Sequence, residues 1–155
     1  MSSDPGDEKA LADIDQYGCH ILHILEHETG PRFSYSIGIE KTTNQPELVV
    51  TGLKQELAHW IINEYNNRVR GGERFEADKL YSGFLDHFDV MFRPVLKEYY
   101  EAYFGWARWL YEGDDFHVYQ LIYPSTSGVW PWDPDASDDY TYFIPMLSEP
   151  ARPAE

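Results

Sequence analysis

Residues 33–39 read FSYSIGI, and their alternation decides what kind of fold this chain adopts. Phe33, Tyr35, Ile37 and Ile39 fall on one face, and Ser34, Ser36 and Gly38 on the other. A period of two is that of a half-buried strand, here with a very small second face. Just upstream, residues 18–25 read GCHILHIL, a short apolar run that reads as a strand buried on much of both faces. The intervening EHETGPR, residues 26–32, carries Gly30 and Pro31 as turn punctuation, so the two runs form a hairpin. Downstream, the loop KTTNQP leads into ELVVT, residues 47–51, a short strand closed by Gly52. Residues 53–70, LKQELAHWIINEYNNRVR, then switch to helical spacing through Leu53, Leu57, Trp60, Ile61, Ile62, Tyr65 and Val69. Gly71 and Gly72, with Arg68 and Arg70 in the last turn, stop a helix over 54–70 whose buried face includes Leu57, Ile61 and Tyr65.

Residues 75–83 read as a weak strand or an irregular link, and HFDVMFRPV at 87–95 as a strand that Pro94 breaks or confines to an edge. A second helix is expected over 96–111, with a stripe of Tyr99, Tyr103, Trp106 and Leu110, Gly105 as a weak point, and Gly113 as its stop. Tyr100, Phe104 and Trp109 lie off that stripe and need a second partner. HVYQLIY at 117–123 is a strand ended by Pro124; residues 124–140 are loop, and the chain from Tyr142 is extended. Strands outnumber helices and are too clustered for regular βαβ alternation. The expected fold is α+β: a mainly antiparallel sheet or small open barrel with two packed helices. It forms one domain over 13–147, between a flexible segment at 1–12 and a flexible Pro-rich tail at 148–155.

The 155 residues hold 12 Lys plus Arg against 27 Asp plus Glu, a formal charge of −15. Such a surface repels phosphate backbones and anionic lipid, which argues against nucleic-acid and membrane-surface binding. From Glu112 onward, nine acids face the single base Arg152. No run of apolar residues is long enough to span a bilayer, and the polar start MSSDPGDEKALAD is not that of a secretory signal. The single Cys19 cannot form an internal disulfide, so a reducing cytoplasm is the expected compartment. Cys19 reads as a small buried thiol.

Three groups could carry chemistry. His20, His23 and His27 lie close together with Glu26 and Glu28, but on a strand positions 20 and 23 face opposite ways, so no metal site is expected. Asp133, Asp135, Asp138 and Asp139 sit beside Trp130 and Trp132 without the spacing of a calcium loop and without a selected acid pair for glycoside hydrolysis. Ser34 and Ser36 lack the Gly-x-Ser-x-Gly elbow, and no phosphate-binding glycine loop occurs. No catalytic residue is assigned.

Tyr17-Gly18 with His20, Pro31, the 33–39 run, Pro46-Glu47-Leu48, Gly52-Leu53, Gln120-Leu121, Tyr123-Pro124 and Pro131-Trp132-Asp133 occur in an order that resembles the bacterial family called domain of unknown function 4262. The resemblance covers about residues 13 to 134; where the family pattern often carries a His before Pro-Glu-Leu, this chain has Gln45. It implies no particular activity. The small-residue strand, loop, strand and helix are also similar to the start of flavin-reductase-like split barrels. That likeness implies FMN held near Ser34, Ser36 and Gly38 in a flavin- or small-molecule-binding enzyme. It lacks the basic cluster a flavin phosphate would meet.

Charge and aromatic excess favour a different expectation: an acidic cytoplasmic protein-binding domain, of the immunity or inhibitor type, that neutralises a basic partner with no cofactor. Its expected docking residues are Asp114, Asp115, Trp130, Trp132, Asp133, Asp135, Asp138 and Asp139, where charge steers encounter and an aromatic anchors it.

Overall fold

The computed structural model describes residues 5–28 and 30–149. Helix α1 (Pro5–Tyr17) comes first, followed by β1 (His20–Ile24) and β2 (Phe33–Ile37). The short α2 (Ile39–Thr43), β3 (Glu47–Thr51) and α3 (Gln55–Arg70) follow, then the hairpin β4 (Tyr81–Leu85) and β5 (Phe88–Pro94). A 3₁₀ turn over Lys97–Tyr99 leads into α4 (Tyr100–Tyr103) and α5 (Gly105–Tyr111), then β6 (Val118–Ile122) and α6 (Asp138–Phe143). The six strands form one open sheet in the order β1-β2-β3-β6-β5-β4. The pairings β1–β2, β2–β3, β5–β6 and β4–β5 are antiparallel, and β3 and β6 run parallel at the centre. The fold is α+β, and the sheet is open rather than a closed barrel.

Both faces of the sheet are covered. On one, Ala58, Ile61, Ile62, Tyr65 and Val69 of α3 pack with Leu48, Val50, Phe92 and Leu121. On the other, Tyr100, Phe104 and Ala107 meet Phe33, Tyr35, Ile37, Val49 and Val118, with Ala10 and Ile14 of α1 joining them. The expected half-buried β2 is therefore corrected: every residue of it is buried, and Ser34 and Ser36 are small because they lie on the face that α3 covers. Ile61 and Tyr65 are buried as the helical spacing predicts, but Leu57 is 37% exposed. The buried arc runs through Ala58, Ile61, Ile62, Tyr65 and Val69 instead, leaving Leu57 on its flank.

Four further expectations are corrected. The polar segment expected at 1–12 is helical from Pro5; Asp7 and Glu8 sit in its first turn, where acids suit the helix dipole, and Ala10 and Ile14, one turn apart, are buried. Residues 1–4 of that segment, and 150–155 of the expected tail, lie outside the described residues. The second long helix is broken at Phe104, whose φ of −121° and ψ of 47° are not helical. Tyr35 Oη takes the Trp106 N–H that opens α5, at 3.1 Å. The expected loop after Ile39 contains α2, and the acidic loop contains α6, where Ser137 Oγ accepts the Tyr140 N–H.

Candidate functional site

The parallel pair β3 and β6 brings two carboxyl ends side by side, with Thr51-Gly52-Leu53 beside Tyr123-Pro124. In open sheets with parallel central strands, ligands settle in the crevice beyond such ends. Here that crevice is a cavity of about 420 Å³. Gly52, Leu53, Tyr123 and Pro124 form its floor, Leu85, Asp86 and Phe88 of the β4–β5 hairpin one wall, and Ser125, Thr126, Tyr140 and Phe143 the other. Its volume falls in the range of about 300–1,000 Å³ usual for small-ligand sites.

The local sequence explains the shape. Gly52 has φ +77°, and a Cβ there would lie 2.4 Å from the Phe143 carbonyl oxygen and 2.9 Å from the Tyr123 hydroxyl. Glycine is what lets α6 close over the end of β3. The Tyr123 hydroxyl donates to the Thr51 carbonyl at 2.7 Å, and the Tyr140 hydroxyl to the Tyr123 carbonyl at 2.5 Å. Burial raises both phenols above their ordinary pKa, so they remain neutral donors that hold the walls in place. Arg32 donates to the Gly52 carbonyl at 3.3 Å from outside the lining.

A second hollow of about 410 Å³ adjoins the first across Ser125, Thr126, Tyr140 and Phe143, and adds Ser127, Val129, Asp135, Ser137 and Asp139. Neither lining contains a Lys, Arg or His, so Asp86, Asp135 and Asp139 give the mouth one sign of charge.

Of the residues singled out from the sequence, Asp135 and Asp139 reach this groove, with Asp138 exposed beside them in the first turn of α6. Asp133 instead accepts the Trp130 N–H at 2.8 Å and closes a turn. Trp130 packs on the core and stacks on Trp132, with ring centroids 5.4 Å apart and planes at 6°. Trp132 remains 43% exposed, with the Arg93 guanidinium 4.6 Å from its ring centroid. Asp114 pairs with Arg108 at 2.7 Å, and its carbonyl accepts the Lys97 ammonium. Asp114 and Asp115 precede β6, whereas residues 133–139 follow it, so the strand separates the two acidic groups.

Ser34, Ser36 and Gly38 do not present open phosphate donors. Ser34 Oγ bonds His23 Nδ1 at 2.6 Å. Ser36 Oγ donates to Glu47 at 2.8 Å, and the N–H groups of Gly38, Ile39 and Glu40 donate to the same carboxylate at 3.0, 3.1 and 3.2 Å. Tyr111 donates the fifth hydrogen bond. The anion at the start of α2 is thus the chain's own Glu47, and a flavin phosphate would have to displace it. Glu47 is fully buried, and desolvation raises its pKa to about 7 against these five donors.

The histidines divide as a strand requires. His20 bonds Asp13 at 2.7 Å, and His23 Nε2 lies 3.2 Å from His59 Nδ1. His27 forms an isolated bridge with Gly30. Among the described residues no group of three or more His, Cys, Asp or Glu side chains is placed to hold a metal ion, and no helix is long and apolar enough to cross a membrane. Burial pushes the Cys19 thiol up to about 12, which suits a packed rather than a reactive thiol.

Sequence reasoning missed Glu47, Tyr111, His59, Tyr123, Tyr140 and Phe143. A lone acid between Pro46 and the apolar Leu48-Val49-Val50 was the available signal for Glu47. The family model described as a domain of unknown function (DUF4262) matches residues 13–137. The chain belongs to this family. Within the matched range, Ser36, Gly38 and Glu47 belong to the buried carboxylate network, and Gly52, Leu53, Tyr123 and Pro124 line the cavity. Comparison with curated proteins and with solved structures gives no match.

Proposed function

We propose that this domain binds a basic segment of a protein partner, taking an apolar side chain into the cavity between β3, β6 and α6. One observation carries the reading: an apolar hollow lined by Asp86 adjoins a second hollow lined by Asp135 and Asp139, and neither lining holds a cation. The formal charge of −15 acts in the same direction by steering a cationic partner toward the domain. An immunity- or inhibitor-type role in the cytoplasm, where the single thiol stays reduced, fits this chemistry. The cavity volume favours a second reading, a small organic cation with an apolar body.

Titration with short fluorescent peptides tests the proposal. A Lys-flanked peptide carrying one Phe is expected to bind, and its binding to weaken with salt. Neutralising Asp86, Asp135 and Asp139 together to Asn is expected to slow association and flatten that salt dependence. Equal binding of a Glu-flanked peptide, or unchanged kinetics in the triple variant at low salt, overturns it.

A further inference from the structure

A third hollow, of about 240 Å³, lies on the other side of the hairpin tip. Leu57 and Trp60 of α3 form one wall and Gly83 and Phe84 of β4 the other; Leu85 and Asp86 are shared with the main cavity. Leu57 and Trp60 are 37% and 51% exposed, an apolar shelf on an otherwise polar helix face. Glu56 and Glu64 stand one turn before and one turn after Trp60, so acids flank the shelf along the helix. Lys54 caps the start of the helix, outside the lining of the hollow, and Arg68 toward its other end is committed. Arg68 pairs with Glu73 at 2.5 Å, donates to the Ser82 carbonyl at 2.9 Å and lies over the Phe84 ring at 4.5 Å. The shelf thus repeats the character of the main cavity, with Asp86 standing between them.

We infer that the partner segment carries two apolar side chains with a basic residue between them. The first fills the cavity, the basic residue meets Asp86, and the second lies on Leu57 and Trp60. This deepens the proposed function and rests on it. Charge selects the occupant, because a second copy of this chain would bring −15 against −15. Edge-strand addition is not the mode of contact: the register of β4 shifts between Tyr81 and Leu85, and Gly83 has φ +93°, so that edge is no regular template.

Two Lys-flanked peptides test the inference, one with a single Phe and one with Phe and Leu on either side of an Arg. The second is expected to bind at least about tenfold more tightly, as engagement of one further anchor implies. Trp60→Ala, at an exposed position, is expected to remove that advantage and leave the single-Phe peptide unaffected. Thr126→Trp, which places an indole in the cavity mouth from an exposed position, is expected to weaken both. If Trp60→Ala leaves the advantage intact while Thr126→Trp weakens both peptides, the shelf is wrong and the cavity reading survives. If neither variant alters either peptide, or neither peptide binds, both fail. Concentration-dependent dimerisation abolished by Trp60→Ala would assign the shelf to a second copy and overturn the inference.

Discussion

Replacing Glu47 by Gln should expose the cost of its buried charge as a pH dependence. Oε2 accepts from Gly38, Glu40 and Tyr111, and Oε1 from Ser36 and Ile39. The Gln carbonyl can take the first place, but its amide then faces the Ile39 N–H. One buried donor without a partner costs about 1–3 kcal/mol. Against this stands the desolvation of the native carboxylate, which raises its pKa from 4.5 to about 7. The unfolded chain therefore binds fewer protons than the native chain between those values, and stability falls as pH rises through them. The stabilisation is fully present below pH 4.5 and lost through pH 7, a swing of about 3 kcal/mol at 1.36 kcal/mol per unit. Urea titrations of wild type and Glu47→Gln across this range should show the wild-type advantage shrinking toward neutrality, while titrations common to both chains cancel. A difference independent of pH, or one that grows with pH, would refute the reasoning. Either outcome would mean that the five donors, not desolvation, decide the state of the carboxyl.

Ile61→Ala should cost about 2–5 kcal/mol in a denaturant titration, since Ile61 is fully buried on the core-facing side of α3; a loss under about 0.5 kcal/mol would contradict that packing. Gly52→Ala combines a left-handed backbone with a 2.4 Å approach to the Phe143 carbonyl, so a loss of at least about 1–2 kcal/mol is expected, together with weaker peptide binding as α6 is pushed aside. Desolvation and the neighbouring His59 hold the His23 pKa below its ordinary 6.5. Its contribution is present above pH 6.5 and lost as pH falls through the native value, opposite in sign to that of Glu47. His23→Gln should therefore reduce the loss of stability on acidification below pH 6.5, measured as the difference from wild type.

Much of the element order was legible in the chain. The alternation of FSYSIGI, the apolar ELVVT and the helical spacing from Leu53 to Val69 mark β2, β3 and α3, because local periodicity reports which side of an element meets the core. Composition likewise determined the acidic character, and Asp135 and Asp139 stand out in the sequence because acids in a Pro- and Gly-rich loop are conspicuous. Tertiary structure decided the rest. Whether Ser34 and Ser36 face solvent or a helix depends on α3 crossing that face, which the period of two does not encode. α2 exists because Glu47, from the following strand, satisfies its first amide groups, a contact made by folding rather than by neighbours in sequence. Asp114 and Asp115 are as acidic as Asp135 and Asp139 but stand before β6 rather than after it. The cavity forms where the parallel pairing of β3 with β6 brings Gly52 beside Tyr123, residues far apart in the chain. Side-chain type and local spacing come from the sequence itself, whereas juxtaposition across the sheet is set by strand order, which no single segment carries.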